Sequence, residues 1–279
     1  MAWIFPLLCA ALLLLRPGIA LDAAGEACRL FALSVLPGLY PYMILLLLAL
    51  AHLPPQAPFG ALVALGWGAG SPCGAKICRA RQDLWPPRRL RRLAVCCGTM
   101  SPMFLYGTLG RWLHNETAGL CVLLAVWGGG WLAAQTIRPD PAPPRLAAPP
   151  PAPPLTLGMA VEQASIALLT VCGCMVLGNV YSALIPALLP GLPQSVRLGI
   201  SCLLEVTCAS QRLVQLPLPL PLRVGLLSGE TGFGALALLL QNRALGPHGL
   251  WPLRQQLGFQ LLHGLLSALT GYGLALLLL

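Results

Sequence analysis

The sequence predicts an all-α membrane protein: a polytopic helical bundle with broken or re-entrant helices, arranged as two pseudo-symmetric halves. Three observations carry this. Hydrophobic residues make up 57% of the chain and charged residues 9%, far from the composition with which a soluble domain builds both a core and a wetted surface. Apolar runs recur from end to end, separated by short polar or proline-rich turns, as helices that use lipid as their solvent do. The cations are gathered in one place: residues 71–92, SPCGAKICRARQDLWPPRRLRR, set Lys76, Arg79, Arg81, Arg88, Arg89, Arg91 and Arg92 against Asp83 alone and supply most of the formal net charge of +9. Short basic loops resist translocation, so this one is expected on the cytoplasmic face, with Arg79, Arg81, Arg88, Arg89, Arg91 and Arg92 at anionic headgroups. Nucleic acid is not expected as a partner, because the basic residues lie beside apolar spans with no aromatic interleaving.

The first apolar run, Trp3 to Leu15, is followed by Arg16, Pro17 and GIALDAAG. No basic stretch precedes it, so a retained, short membrane helix is expected, with cleavage near Ala20 as the alternative. Residues 22–36 place Glu26 and Arg29 with Leu30, Leu33 and Leu36 at helical spacing, which suits an amphipathic interfacial helix. PGLYPYMILLLLALAHLPP then enters the membrane, but its apolar part of about 14 residues gives about 21 Å of helix against a hydrocarbon core of about 30 Å. FGALVALGWGAG at 59–70 is shorter still, so these two are expected to be limbs of a broken or re-entrant pair. Beyond the basic loop, 93–113 and 117–135 can each cross, joined by a turn at His114, Asn115 and Glu116.

Residues 136–155 carry nine prolines. Such a stretch adopts extended polyproline II, and it divides the chain into an N-terminal half, 1–135, and a C-terminal half, 156–279. A ligand for SH3-like modules is the alternative use. The second half repeats the scheme with 157–185, an uncharged turn PALLPGLPQ, 196–215, a proline-punctuated PLPLPL, 224–241 and 255–279. Seven to nine membrane segments are expected in all.

Three places break the apolar pattern: GWGAGSPCGAK at 66–76, CCGTMSPMFLYGTLG at 96–110 and LLSGETGFGALALLLQ at 226–241. Glycine, serine and proline there free backbone N–H and C=O groups that lipid cannot satisfy, so these segments belong against protein or a polar cavity, as in transporters. The first is no phosphate loop, since Gly74 is followed by Ala75 where a lysine is required. Acids at depth are costly, which singles out Glu205 and Glu230 for solute or proton handling, or for pairing with Arg212 or Arg223. Glu162 is expected at the interface. Asn179, Gln211 and Gln241 suit interhelical hydrogen bonds. The eleven cysteines are scattered without CxxC or Cys/His spacing, and the histidines are isolated; no metal or cofactor is expected, and no nucleophile with a base suggests an enzyme.

The succession VLPGLYPYMILLLLAL, GAGSPCGAKICRARQ, RLAVCCGTMSPMFLYGTLG, LLEVTCAS and GETGFGALALLLQ resembles the sporulation integral membrane protein YlbJ family, within the wider nucleoside-recognition, or gate-domain, group. The resemblance spans about residues 30 to 275. It implies a bacterial inner-membrane protein made for spore formation, with a gate-type fold and a small polar, nucleoside-like solute. The matching positions are Pro37, Gly38 and Pro41; Ser71, Pro72, Gly74 and Lys76; Ser101 and Pro102; and Glu205, Gly232, Gly234 and Gln241. The chain departs from the family at CCGTM, where an asparagine-rich lead is expected, and at Ala209 and Ser210, where a glycine is expected. Together these readings give a carrier or gated pore for a small polar solute, with Ser71, Gly74, Lys76, Ser101, Glu205, Glu230 and Gln241 along the pathway. A non-transporting scaffold that recruits sporulation partners through the basic loop or the proline spacer is the alternative.

Overall fold

A computed structural model describes residues 4–54, 56–138 and 155–279, and most of the proline-rich spacer lies outside them. The described residues form helices and no strands: α1 (Ile4–Leu15), α2 (Pro17–Leu30), α3 (Leu36–His52), α4 (Phe59–Ala69), α5 (Cys73–Ala80), α6 (Pro87–Cys96), α7 (Leu109–Trp112), α8 (Glu116–Gln135), α9 (Leu157–Leu188), α10 (Gln194–Leu204), α11 (Val206–Val214), α12 (Leu220–Phe233), α13 (Ala235–Leu245) and α14 (Leu253–Leu278). Five stretches are long and apolar enough to cross a membrane: 17–52, 116–135, 157–188, 220–245 and 253–278. The chain is a multi-pass membrane protein. The leucines exposed along α8, α9 and α14, among them Leu132, Leu169 and Leu265, form the lipid-facing coat such a bundle needs.

The first long stretch is a single helix. α2 and α3 are joined through a π-helical turn, Phe31–Val35, that closes with the Leu36 N–H on the Phe31 carbonyl. It sits just before Pro37, which has no N–H and crowds the preceding turn. Residues 22–36 are therefore not a separate interfacial helix, and 41–54 is not one limb of a broken pair, as length alone suggested. α9 runs antiparallel to this helix, as contacts at both ends show: Tyr40 Oη lies 2.8 Å from Ser165 Oγ, and Asn179 Nδ2 donates to the Ala23 carbonyl at 2.8 Å. α1, twelve residues long, reaches about 18 Å, short of a span by its own length.

α4 runs inward from the arginine-rich end of the bundle and stops at Gly70, whose φ of +72° suits glycine alone. α5 then returns to the same end. The stretch 71–92 is thus mostly helix, and only the turn at 81–86 between α5 and α6 is a loop. Arg81 Nη2 donates to the Pro54 carbonyl, Arg91 Nε to the Leu250 carbonyl and Arg92 Nη2 to Gln135 Oε1. Those contacts place the ends of α3 and α8 and the start of α14 at this end too. α6 enters from it, unwinds over 97–102, and continues through a π-helical turn, Met103–Thr108, into α7 at the opposite end. α8 comes back.

The second half repeats this order upside down. α9 leads to the opposite end, α10 enters and stops at Glu205, and α11 returns the way it came. Residues 196–215, expected to cross, are a re-entrant hairpin instead. α12 enters from the opposite end, breaks at Gly234 with φ +74°, and continues as α13 to the arginine-rich end. α14 closes the half. Each half thus holds a span, a re-entrant hairpin, a broken span and a closing span, with opposite orientation. The hairpin tips, 70–72 and 204–206, correspond to each other, and the unwound stretch 97–102 corresponds to Gly234.

α8, α12 and α14 pack through a seam of glycines that leaves no room for a Cβ. One built on Gly264 would lie 2.8 Å from the Gly229 carbonyl and 2.9 Å from Phe233 Cβ, and one on Gly271 would meet Ser228. Small residues of this kind let membrane helices approach closely where lipid gives them no hydrophobic reason to associate. Gly264→Ala is expected to lower the melting temperature of the detergent-purified protein, by overpacking worth about 1–3 kcal/mol. Gly258→Ala on the same helix meets nothing within 4 Å and should leave the melting temperature unchanged or raise it, since alanine outranks glycine in a helix by about 1 kcal/mol.

Candidate functional site

Three of the breaks meet at mid-height, and the fourth interrupted span joins them through Leu238 and Gln241, beyond Gly234 on α13. Ser71, at the tip of the first hairpin, donates its N–H to the Thr99 carbonyl at 2.6 Å, so the tip is bonded to the unwound stretch of the neighbouring broken span. Gly70 makes that approach possible: a Cβ there would lie 2.4 Å from the Ser101 nitrogen. Ser101 Oγ accepts from the Phe104 N–H at 3.3 Å and starts the second limb. From the other half, Glu205 serves as the N-cap of α11 and is wholly buried. Its Oε1 accepts from the Thr207 N–H at 2.9 Å and its Oε2 from the Cys208 N–H at 2.6 Å. Two backbone donors at a helix N-terminus are what a carboxylate without water requires. Gly178 lets α9 press on this tip, for a Cβ there would lie 2.8 Å from the Leu204 carbonyl.

Between the breaks lies a cavity of ≈ 30 Å³ lined by Ser71, Ser101, Glu205, Thr207 and Gln241, with Val35, Leu39, Met100, Val171 and Met175 among its apolar walls. Four of the seven residues singled out in the sequence meet here: Ser71, Ser101, Glu205 and Gln241. The other three do not. Gly74 is a packing position, with Cys97 2.5 Å from where its Cβ would be. Lys76 points outward and donates to the Gln163 carbonyl at 3.2 Å. Glu230 is buried in α12 facing Cys202, outside the cavity, and its Oε1 has no hydrogen-bond partner among the described residues.

The expected pairing of the two acids with Arg212 or Arg223 is not formed. Arg212 Nη1 donates to Ser201 Oγ at 2.7 Å, and its Nη2 lies 3.7 Å from Glu26 Oε2. Arg223 donates to the Val214 carbonyl. The reason is geometric: Glu205 sits at the inner tip of its hairpin, whereas Arg212, two turns further along α11, reaches back toward the opposite end. Asn179 is the interhelical bonding residue expected, with its amide on the Ala23 carbonyl and on Glu26 Oε2. Sequence reasoning overlooked Thr207, and it overlooked Asn242, whose Oδ1 accepts from Ser71 Oγ at 2.6 Å. The adjacent amides Gln241 and Asn242, in a helix otherwise rich in leucine, were the available signal.

Compared with known proteins, the chain matches no family model, no curated protein and no solved structure.

The geometry separates the two buried acids. In Glu205→Gln the amide offers one acceptor oxygen to two backbone N–H groups and sets an NH₂ against the other, so thermal stability should fall by about 1–3 kcal/mol. Glu230→Gln replaces a buried carboxyl whose Oε1 has no hydrogen-bond partner among the described residues, and the melting temperature should hold or rise. Equal losses in both, measured in one detergent, would contradict the capping role of Glu205.

Proposed function

We propose that this protein is a carrier or gated pore for a small polar solute, built on the gate-type plan of the YlbJ-like proteins it resembles. One observation carries the reading: the tips of two re-entrant hairpins and the unwound stretch of one broken span, with Leu238 and Gln241 from the limb beyond the other break, line one cavity inside the bundle that has polar groups on its wall, and the halves supplying them have opposite orientation. Free backbone dipoles at helix ends, together with a few hydroxyl, amide and carboxylate groups, are how transporters hold polar solutes away from water. A cavity of ≈ 30 Å³ exceeds the 10–15 Å³ or so that one water needs but takes nothing like a nucleoside. In this conformation the cavity therefore suits a solute smaller than the resemblance implied.

The arginines support a cytoplasmic arginine-rich end in a bacterial inner membrane. The scaffold alternative gains nothing from them. Arg81, Arg91 and Arg92 hold neighbouring helix ends, and Arg89 stacks over Trp85 at 3.8 Å, so these four tie the bundle's own end together.

A carrier must expose the cavity to each side in turn, and a scaffold need never do so. Gln241→Cys and Ser101→Cys in sealed membrane vesicles should react with a membrane-impermeant thiol reagent applied from either face, above the background of the native cysteines, many of which are buried. Labelling from neither face, with folding confirmed by gel filtration, would end the carrier reading.

A further inference from the structure

A second, larger pocket of ≈ 100 Å³ opens between α6 and the α13–α14 connection at the arginine-rich end. Its lining includes Gly98, Asn242, Arg243, Gln256, Gln260 and His263, and among the described residues no aspartate or glutamate. It lies back to back with the central cavity. Gly98 borders the pocket while Met100 and Ser101, two and three residues on, border the cavity; Asn242 borders the pocket while its neighbour Gln241 borders the cavity. The bond that spans the partition is Ser71 Oγ to Asn242 Oδ1, at 2.6 Å. We infer that this pocket is the solute's access site from the arginine-rich end, that the Ser71–Asn242 hydrogen bond is its inner gate, and that the solute admitted is small and uncharged.

The charge argument rests on the carrier reading above and follows the route inward. Arg243 stands at the pocket, with Nη1 held by the Trp251 carbonyl at 3.4 Å and Gln256 Oε1 at 3.1 Å. No acid in the lining offsets it, so a cation meets a like charge on arrival. Beyond the gate the only charged side chain that the described residues place in the cavity lining is Glu205, fixed with both oxygens on backbone N–H groups, so an anion meets a like charge there. Fixed charges of opposite sign in series exclude ions of either sign, as single charges do in known pores. What remains along the route suits a neutral solute: the amides of Asn242, Gln256, Gln260 and Gln241 and the hydroxyls of Ser71, Ser101 and Thr207 offer donors and acceptors alike. Size sets the other bound, because a cavity of about 150 Å³ holds one benzene. The pocket of ≈ 100 Å³ thus takes nothing larger than a small polyol or amide, and the cavity of ≈ 30 Å³ must widen to receive it.

The test is osmotic swelling of proteoliposomes in glycerol, urea, tetramethylammonium thiocyanate and sodium methanesulfonate with gramicidin, so that each organic ion, permanently charged and of comparable size, has a counterion that crosses by its own route. Glycerol and urea should enter about tenfold faster than into protein-free vesicles, and neither organic ion should, a difference of about 1.4 kcal/mol in barrier. Arg243→Gln should admit tetramethylammonium, and Arg243→Lys should keep it out. Asn242→Ala, which deletes the gate bond, should raise glycerol entry without admitting either ion. Passage of either ion through the wild-type protein at the glycerol rate would overturn the neutral-solute inference and leave the carrier standing. Entry of none of the four solutes, with Gln241→Cys unlabelled from both faces, would sink the carrier with it. Entry of none of the four, with Gln241→Cys labelled from both, would leave the carrier and remove this route.

Discussion

The structure depends on satisfying backbone groups where water and lipid cannot. Interrupting a helix inside a membrane bundle frees N–H and C=O groups that cost several kcal/mol each if left bare, and this chain interrupts four helices, three of them at one height. The breaks are tolerated because they answer one another. The Ser71 N–H finds the Thr99 carbonyl, the Thr207 and Cys208 N–H groups find Glu205, and the Phe104 N–H finds Ser101 Oγ. Each bond joins a break to its neighbour or caps the limb that leaves it. The polar cavity is therefore not an addition to the fold but the place where its unpaired dipoles are gathered.

Glycine makes the gathering possible, for two separate reasons. At Gly70 and Gly234 the backbone needs a positive φ to end one limb. At Gly66, Gly74 and Gly178 the conformation is ordinary helix, and the requirement is contact: Cys97 fills the space beside the first two, and the second hairpin tip fills the space beside the third. A side chain at Gly66 or Gly74 would hold the first hairpin off its broken span, and one at Gly178 would hold α9 off the second hairpin. The donors and acceptors at the breaks would then be separated by more than a hydrogen bond's reach.

How much of this was legible in the sequence follows from the range of the interactions involved. Composition and apolar runs reveal a helical membrane bundle, because bilayer thickness imposes itself on every span locally. Ser71, Ser101, Glu205 and Gln241 were also legible, since polar residues and small-residue clusters in oily sequence are local anomalies. Direction was not. Residues 196–215 have the length and apolarity of a crossing helix, and only the Glu205 cap, which turns α11 back, makes them a hairpin. The same limit misassigned Glu230 and Lys76, which share the polar breaks in sequence but sit on helix faces turned away from the cavity. Asn242 escaped notice because its role exists only through Ser71, 171 positions away.

Opposite orientation of the halves does not make the two ends equal in strength. At the arginine-rich end the first hairpin tip is held to α13 by one hydrogen bond between neutral side chains, Ser71 to Asn242, beneath a ready-made pocket. At the opposite end the second hairpin is held by Arg212, which joins Ser201 and Ser182 to Glu26, while Glu26 also accepts from Asn179 of α9. A neutral hydrogen bond contributes about 1 kcal/mol net, and one to a charged group about 1.5–3 kcal/mol. The first hairpin is also tied by the Ser71 N–H on the Thr99 carbonyl, Trp67 Nε1 on the Cys96 carbonyl and Lys76 on the Gln163 carbonyl, but at its contact with α13 only the neutral bond must part to join the pocket to the cavity. The same fold that places one polar cavity at its centre thus leaves it easier to reach from the arginine-rich end.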